Sequence, residues 1–416
     1  MEAKNLRING QRLWDDMMGT ARIGGTPKGG ICRLTLTELD REVRDWFSAR
    51  CQEIGCEVKT DRLGNMFALL PGTDSALDPI ALGSHLDTQP TGGKYDGVLG
   101  VLGALEVFRT IKEAGLQTRA PLVICNWTNE EGSRFAPAIM GSGAFAGVFS
   151  EEFVNNVADR TGTTFGEAID AIGYRGSEPV GQRRLAGYFE LHIEQGPVLE
   201  AEQKTIGVVT GIQGQRWFEV TITGMEAHAG TTTMSLRRDA LVAAAKLIQE
   251  IDALARRHPG SVGTVGLIEG RPNSRNVVPG EVFLTVDLRN PAGEVIDRLE
   301  AGLEALVVAI RAQGFDVEIK KIWDQAPITF DEACVACVRD AVKASGLPGR
   351  EMVSGAGHDA GYISRVAPTT MIFVPCKDGL SHNEAESATF EDCTAGVQIL
   401  MEAVLRYDDV ISHRSV

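Results

Sequence analysis

His85 and Asp96 fall in one polar stretch, residues 83–97, that follows the apolar run Ile80-Ala81-Leu82. An imidazole and a carboxylate so placed can bind a metal, and Asp87, two residues after His85, can accept the other imidazole N–H and fix its tautomer. Glu130 and Glu131 stand just past a second apolar run, 122–127, where a turn lets both face one cleft, one binding metal and the other moving protons. His192 ends a third apolar run, 187–193, and His382 sits in the polar loop 379–386. Alone, each has an ordinary explanation: a surface His-x-Asp, a solvated acidic pair, a core histidine, an exposed loop histidine. Together, His85, Asp96, Glu131, His192 and His382 supply three imidazoles and two carboxylates. Two divalent ions with three protein ligands each need six donor positions, so five residues suffice if one carboxylate bridges. Asp96 is the candidate bridge, with water between the ions and unligated Glu130 beside it to take and return a proton.

These side chains need a scaffold that delivers strand ends to one edge. Residues 65–70, 80–83, 122–127 and 187–193 read as strands, and helices are expected from Thr37, capped with Asp40 returning the bond, and from Gly97. Apolar strands that end in polar loops are where α/β proteins place their chemistry. The C-terminal part adds the loop 354–361, a strand at 369–374, the His382 loop and a closing helix from Phe390.

Between these parts the pattern changes. Strands at 217–223, 262–269, 282–289 and 317–323 alternate with long helices at 236–257 and 292–313, a βαββαβ order that fits a ferredoxin-like layer. The expected architecture is α/β: a catalytic domain of residues 1–212 and 328–416, its central mixed sheet flanked by helices, and an inserted domain of residues 213–327.

A chain of 416 residues exceeds what one core usually supports, which agrees with two domains. With 43% hydrophobic and 23% charged residues the composition is that of a globular protein. The net charge of −15, with no basic run or stripe, argues against nucleic acid or an anionic membrane as partner. No stretch reaches the length of a membrane span, and Met1 to Gly30 lacks the order of a signal peptide, so the expected location is the cytoplasm. The eight cysteines are scattered among apolar residues and most read as buried thiols; Cys334-Val-Ala-Cys337 sits in an apolar helical pattern and reads as core.

The motifs His85-x-Asp87, Gly93-Lys-Tyr-Asp96-Gly97, Glu130-Glu131-Gly-Ser-Arg-Phe135, Leu191-His-Ile-Glu-Gln-Gly196, His228-Ala-Gly-Thr-Thr232, Gly357-His-Asp359 and Ser381-His382 together resemble the hydantoinase/carbamoylase family. Those proteins are metal-dependent amidohydrolases of the aminoacylase and carboxypeptidase superfamily. The resemblance implies one ion on His85, Asp96 and His192 and a second on Asp96, Glu131 and His382, with Glu130 as general acid/base. It also implies that the inserted domain is a lid through which the chain forms a homodimer. His228 would then stabilise the oxyanion from the partner subunit. Asn276, Arg289 and Arg216 match positions that grip the substrate carboxylate, Gln195 a position that contacts the ureido group, and Gly357 and His358 line the same pocket.

The implied cofactor is a pair of divalent ions, zinc first, with manganese, cobalt or nickel as alternatives. The implied substrate is a small ureido acid, foremost an N-carbamoyl-L-amino acid. N-carbamoyl-β-alanine (the β-ureidopropionase reaction) and allantoate are alternatives, followed by aminoacylase or dipeptidase substrates. A non-catalytic binding module of the same fold is the reading from another class.

Overall fold

Leu122–Trp127 carries no polar alternation, as expected of a strand covered on both faces, and all its residues are buried. The same holds for Ile80–His85, Gly187–Ile193 and Thr369–Val374. In the computed structural model, which describes residues 6–414, these four strands lie side by side and parallel. The first five residues of the stretch read for a leader lie outside the described residues. Antiparallel partners extend this into a mixed sheet: Met66–Leu70 and then Glu57–Thr60 beyond Leu122–Trp127, and Ile206–Ile212 beyond Thr369–Val374, with the short strands Ile328–Thr329 and Gly349–Ser354 pairing on Ile206–Ile212. The carboxyl ends of the four parallel strands therefore open onto one edge, where ligands bind in open α/β sheets.

Helix Val98–Glu113 is buried along nearly its whole length and packs against both this sheet and the long helix Phe390–Arg414, which also lies on the sheet. Its N-cap, Gly97, has a φ of 66°, and a Cβ there would lie 2.3 Å from the His85 ring. Only glycine lets the backbone approach that imidazole so closely. Helix Glu38–Glu53 starts as expected, with Thr37 Oγ1 accepting from Asp40 N–H. Asp40 does not return the bond to Thr37. Its Oδ2 accepts from Leu36 N–H at 2.7 Å and from Arg44 Nε at 2.8 Å, an ion pair sealed in the interior. Residues 133–186, for which no helix was expected, hold the short helices Met140–Phe145, Glu151–Asn156 and Phe165–Ala171, gathered around Phe135, Phe165 and Ile169.

The contacts divide the chain into Met1–Thr210 with Phe330–Val416, and Gly211–Thr329. In the second unit the order is strand Gly214–Thr223, helix Ala240–Arg256, strands Val262–Arg271 and Glu281–Asn290, helix Gly293–Arg311 and strand Asp316–Gln325. Gly214–Thr223 and Glu281–Asn290 are central, flanked by Asp316–Gln325 and Val262–Arg271, all antiparallel. This is the ferredoxin-like arrangement. Both helices cover one face of that sheet, where Phe218, Val220, Leu247, Leu284 and Leu303 form the core. Glu281–Asn290 alternates accordingly, with Val282, Leu284, Val286 and Leu288 buried. Cys334 and Cys337 lie in the buried face of helix Glu332–Ser345. No helix among the described residues is long and apolar enough to cross a membrane.

Candidate metal and active site

The sheet's carboxyl edge gathers the histidines and acids of the first unit. One ligand atom each from His85, Asp96 and His192 lies within 4.8 Å of the others, and so does one each from Asp96, Glu131 and His382. Asp96 joins the clusters through different oxygens. Its Oδ1 is 3.1 Å from His192 Nε2 and 3.5 Å from His85 Nε2, while Oδ2 is 3.5 Å from His382 Nε2. Glu131 Oε2 closes the second cluster, 3.4 Å from His382 Nε2.

Both inner imidazoles are fixed by backbone. His85 Nδ1 lies 2.9 Å from the Asp87 carbonyl oxygen and His192 Nδ1 2.9 Å from the Ile193 carbonyl oxygen. A carbonyl only accepts, so both Nδ1 atoms carry hydrogen. Asp87 thus orients His85 through its main chain and not, as expected, through its carboxylate, which stays 3.8 Å away. The carboxylate has other work: its two oxygens accept from the N–H groups of Glu130 and Glu131 at 3.3 Å each, holding the acidic pair in place.

With hydrogen on Nδ1, Nε2 of a neutral His85 or His192 would turn its lone pair toward carboxylate oxygens, although His192 Nε2 also accepts from Gly97 N–H at 3.2 Å. Acceptors facing acceptors in a buried site repel unless a proton or a cation lies between them. Imidazoles and carboxylates are also the donors that divalent transition metals take. The residues present therefore fit a pair of such ions. Burial alone would lower His85 and His192, but Glu130, Asp96 and Asp87 around His85 and Asp96 beside His192 hold both above the usual histidine value. Asp96, which burial alone would raise, is held well below the usual carboxylate range by His192 and His85.

Glu130 is directed into the same space, its Oε2 3.5 Å from His85 Nε2. Burial, together with the negative charges of Asp359, Glu131 and Asp96, pushes its carboxyl well above the usual range. Gln195 Nε2 donates to Asp96 Oδ2 at 2.8 Å and to Ser381 Oγ at 3.1 Å, so its amide touches the outer cluster directly. His358 packs edge-on against His192 with ring centroids 4.5 Å apart, and its Nε2 is 3.1 Å from Ser354 Oγ. Burial and the neighbouring His192 push His358 well below the usual histidine value, which favours the uncharged imidazole. Gly357 precedes it beside Ile139, whose Cδ1 would lie 3.2 Å from a Cβ at that position.

Two acids that sequence reasoning passed over support this edge from behind. Glu190, buried in the strand Gly187–Ile193, accepts from Ser84 Oγ at 2.7 Å and from Ala360 N–H at 2.8 Å. Glu386, pushed up to about 7 by burial and by Asp96, accepts from the N–H groups of Tyr95 and Asp96. A charged residue inside an otherwise apolar strand was the available signal for Glu190; Glu386 had none beyond lying in the His382 loop.

The remaining expected site residues belong to the second unit. His228 lies on the short strand Ala227–His228, opposite Val277. Its Nδ1 accepts from the N–H groups of Gly230 and Thr231 at 3.0 and 3.1 Å, which leaves the hydrogen on Nε2 as an outward donor. The Asn276 carbonyl accepts from Ala229 N–H at 3.0 Å, so His228 and Asn276 share one loop pair. Arg289 lies near the other end of strand Glu281–Asn290, its guanidinium on Asp287 at 2.7 Å.

Arg216 does not join Arg289. Directly opposite residues in an antiparallel ladder share a face, and Arg216 is opposite buried Leu288 whereas Arg289 is opposite Gln215. Arg216 therefore points to the helix side, where Asp297, Glu300 and Asp324 occupy its guanidinium at 2.7, 2.6 and 3.0 Å. Its guanidinium is thus held among three carboxylates on the face away from Arg289. The parity of two strands decides this, and neither strand reveals it alone.

Comparison with known proteins agrees with the geometry. The sequence pattern of peptidase family M20/M25/M40 matches residues 81–406. An N-carbamoyl-L-amino-acid amidohydrolase of Rhizobium meliloti is 48% identical over 98% of this chain and 99% of its own length. An allantoate amidohydrolase of Bacillus subtilis is 34% identical over 98% and 99%. Among solved structures, an amidase of the hydantoinase/carbamoylase family from Burkholderia multivorans superposes with a TM-score of 0.94 at 50% identity, covering 96% of this chain and 98% of that one. The chain belongs to peptidase family M20/M25/M40 and, within it, to the hydantoinase/carbamoylase amidases; it is a hydrolase of amide-type C–N bonds.

Proposed function

We propose that the chain hydrolyses the carbamoyl group of an N-carbamoyl-L-amino acid, giving the amino acid, ammonia and carbon dioxide. The observation that carries this is the pair of three-residue clusters sharing Asp96 with Glu130 beside them, in a chain 48% identical to an N-carbamoyl-L-amino-acid amidohydrolase. His85, Asp96 and His192 would hold one divalent ion and Asp96, Glu131 and His382 the other, zinc first by donor set, then manganese, cobalt or nickel. Ions held there supply Lewis acidity toward the ureido oxygen and lower the pKa of water.

The protein's own groups do the rest. Glu130 takes a proton from the attacking water as the C–O bond forms, then delivers it to the amino-acid nitrogen as the C–N bond breaks. The carbamic acid released falls apart to ammonia and carbon dioxide. His228 donates its Nε2–H to the oxyanion. Arg289 and Asn276 hold the substrate carboxylate, Gln195 contacts the ureido group, and Gly357 with neutral His358 lines the pocket floor.

The active unit is a homodimer formed through the second unit acting as a lid, with the cytoplasm as its compartment. Its support is the distance along one strand. The His228 ribbon is a separate two-stranded sheet whose Val277–Val278 strand precedes Glu281 in the chain, whereas Arg289 lies eight residues beyond Glu281 along the long strand, about 26 Å from it at about 3.3 Å per residue. A span of that size is long for one small substrate, which supports His228 being supplied by the partner subunit.

Allantoate hydrolysis is the second reading, favoured by the 34% identity to an allantoate amidohydrolase. Ammonia release from metal-reconstituted protein decides between them, using N-carbamoyl-L- and D-amino acids, N-carbamoyl-β-alanine, allantoate and N-acetyl amino acids. Preference for N-carbamoyl-L-amino acids is expected; preference for allantoate or acetyl substrates would overturn the assignment.

A further inference from the structure

We infer that Glu386 is a positioning residue that assembles the outer cluster of Asp96, Glu131 and His382, an inference that rests on the dinuclear reading above. Glu386 is 5% exposed, yet its carboxylate meets no cationic side chain in the bonds it makes. Oε1 accepts from the N–H groups of Tyr95 and Asp96 at 3.1 Å each, and Oε2 accepts from Ser381 Oγ at 3.0 Å. The loop that carries His382 is thereby tied to the loop that carries Asp96. Gly93 makes room for the tie: a Cβ there would lie 2.0 Å from Glu386 Oε1. Glu384, the neighbouring acid, faces away toward Lys28 and takes no part.

The two clusters depend on this tie unequally. His85 and His192 end strands and are each locked by a backbone carbonyl. His382 is 51% exposed in its side chain and stands on a loop at a φ of 54°, and its approach to Gln195 Nε2 is 3.5 Å, the outer limit of a hydrogen bond. What fixes His382 relative to Asp96 is the loop itself, and Glu386, together with Ser381, joins the two loops. Ser381 adds to this. Its single hydroxyl proton lies between Glu386 Oε2 and Asp96 Oδ2, 2.9 Å from the latter, so Glu386 offers it an acceptor other than the oxygen that faces His382.

The test is titration of the metal-free chain with cobalt(II), followed by visible absorption and calorimetry, with thermal melting of each metal-free variant alongside. Wild type takes up two ions. Glu386→Ala takes up the inner ion as wild type does and binds the outer one about 10- to 100-fold more weakly. Glu386→Gln, which keeps an oxygen for the two N–H groups, recovers most of that loss, whereas Glu386→Met, of similar size but without an acceptor oxygen, does not, which a space-filling role would not explain. If Glu386→Ala does not melt cooperatively, Gly93→Ala, whose methyl displaces the carboxylate, must show the same selective loss. Uptake of both ions at wild-type affinity by the alanine variant, or equal weakening of both, overturns the inference. Wild type binding fewer than two ions overturns the dinuclear reading itself, and the inference falls with it.

Discussion

The carboxylate of Asp96 meets His192 with only one of its oxygens. Oδ1 lies 3.1 Å from His192 Nε2, and Oδ2 turns the other way, toward His382 at 3.5 Å. A carboxylate divided in this manner is shared by two three-residue clusters of metal-type donors, and the consequences can be measured residue by residue.

Glu130 holds no place in either cluster yet reaches the same space. Glu130→Gln keeps the shape and removes the proton acceptor. Metal content measured by mass spectrometry is expected to match wild type while kcat falls roughly 100- to 10,000-fold, the range for loss of a general acid/base. Near-wild-type turnover would remove Glu130 from the proton path.

Arg289 and Arg216 lie on opposite faces of one sheet, so they should fail differently. Arg289→Lys loses the forked grip on a carboxylate and should raise KM with little change in unfolding free energy. Arg216→Ala releases three carboxylates at a partly exposed network and should cost about 1 kcal/mol of stability with KM unchanged. Denaturant titration beside steady-state kinetics separates the two. A KM effect from Arg216→Ala without loss of stability would place that residue in the binding set.

His228 presents its Nε2–H outward because Nδ1 is occupied by two backbone N–H groups. His228→Ala should lower kcat by about 100- to 1,000-fold, as for loss of an oxyanion donor, and leave metal content alone. Mixing His228→Ala chains with Glu130→Gln chains, then allowing subunits to exchange, should restore activity that neither has by itself. Failure to restore it in verified mixed dimers would place His228 with its own chain's site or with none.

Much of this could be read before folding. Apolar strands ending in His85, the Glu130–Glu131 turn and His192 declared their positions because parallel strands buried on both faces leave polarity only at their ends. The inserted unit was expected at 213–327 and spans Gly211–Thr329, because its alternating strands contrast with those unbroken runs. Features set by long-range pairing stayed hidden. Glu386 looks like one more loop acid until Tyr95 and Asp96, nearly three hundred residues earlier, turn their N–H groups to it. Asp87 reveals its acidic role only once Glu130 and Glu131 fold over it. The short helices between Met140 and Ala171 hold too few turns for a periodic pattern to emerge.

The most direct measurement is the metal stoichiometry of Asp96→Ala. Because one oxygen of Asp96 faces each cluster, its loss should abolish tight binding of both ions together, read by mass spectrometry after dialysis and by cobalt(II) titration, in a chain that still melts cooperatively. Retention of either ion at wild-type affinity would contradict the bridge.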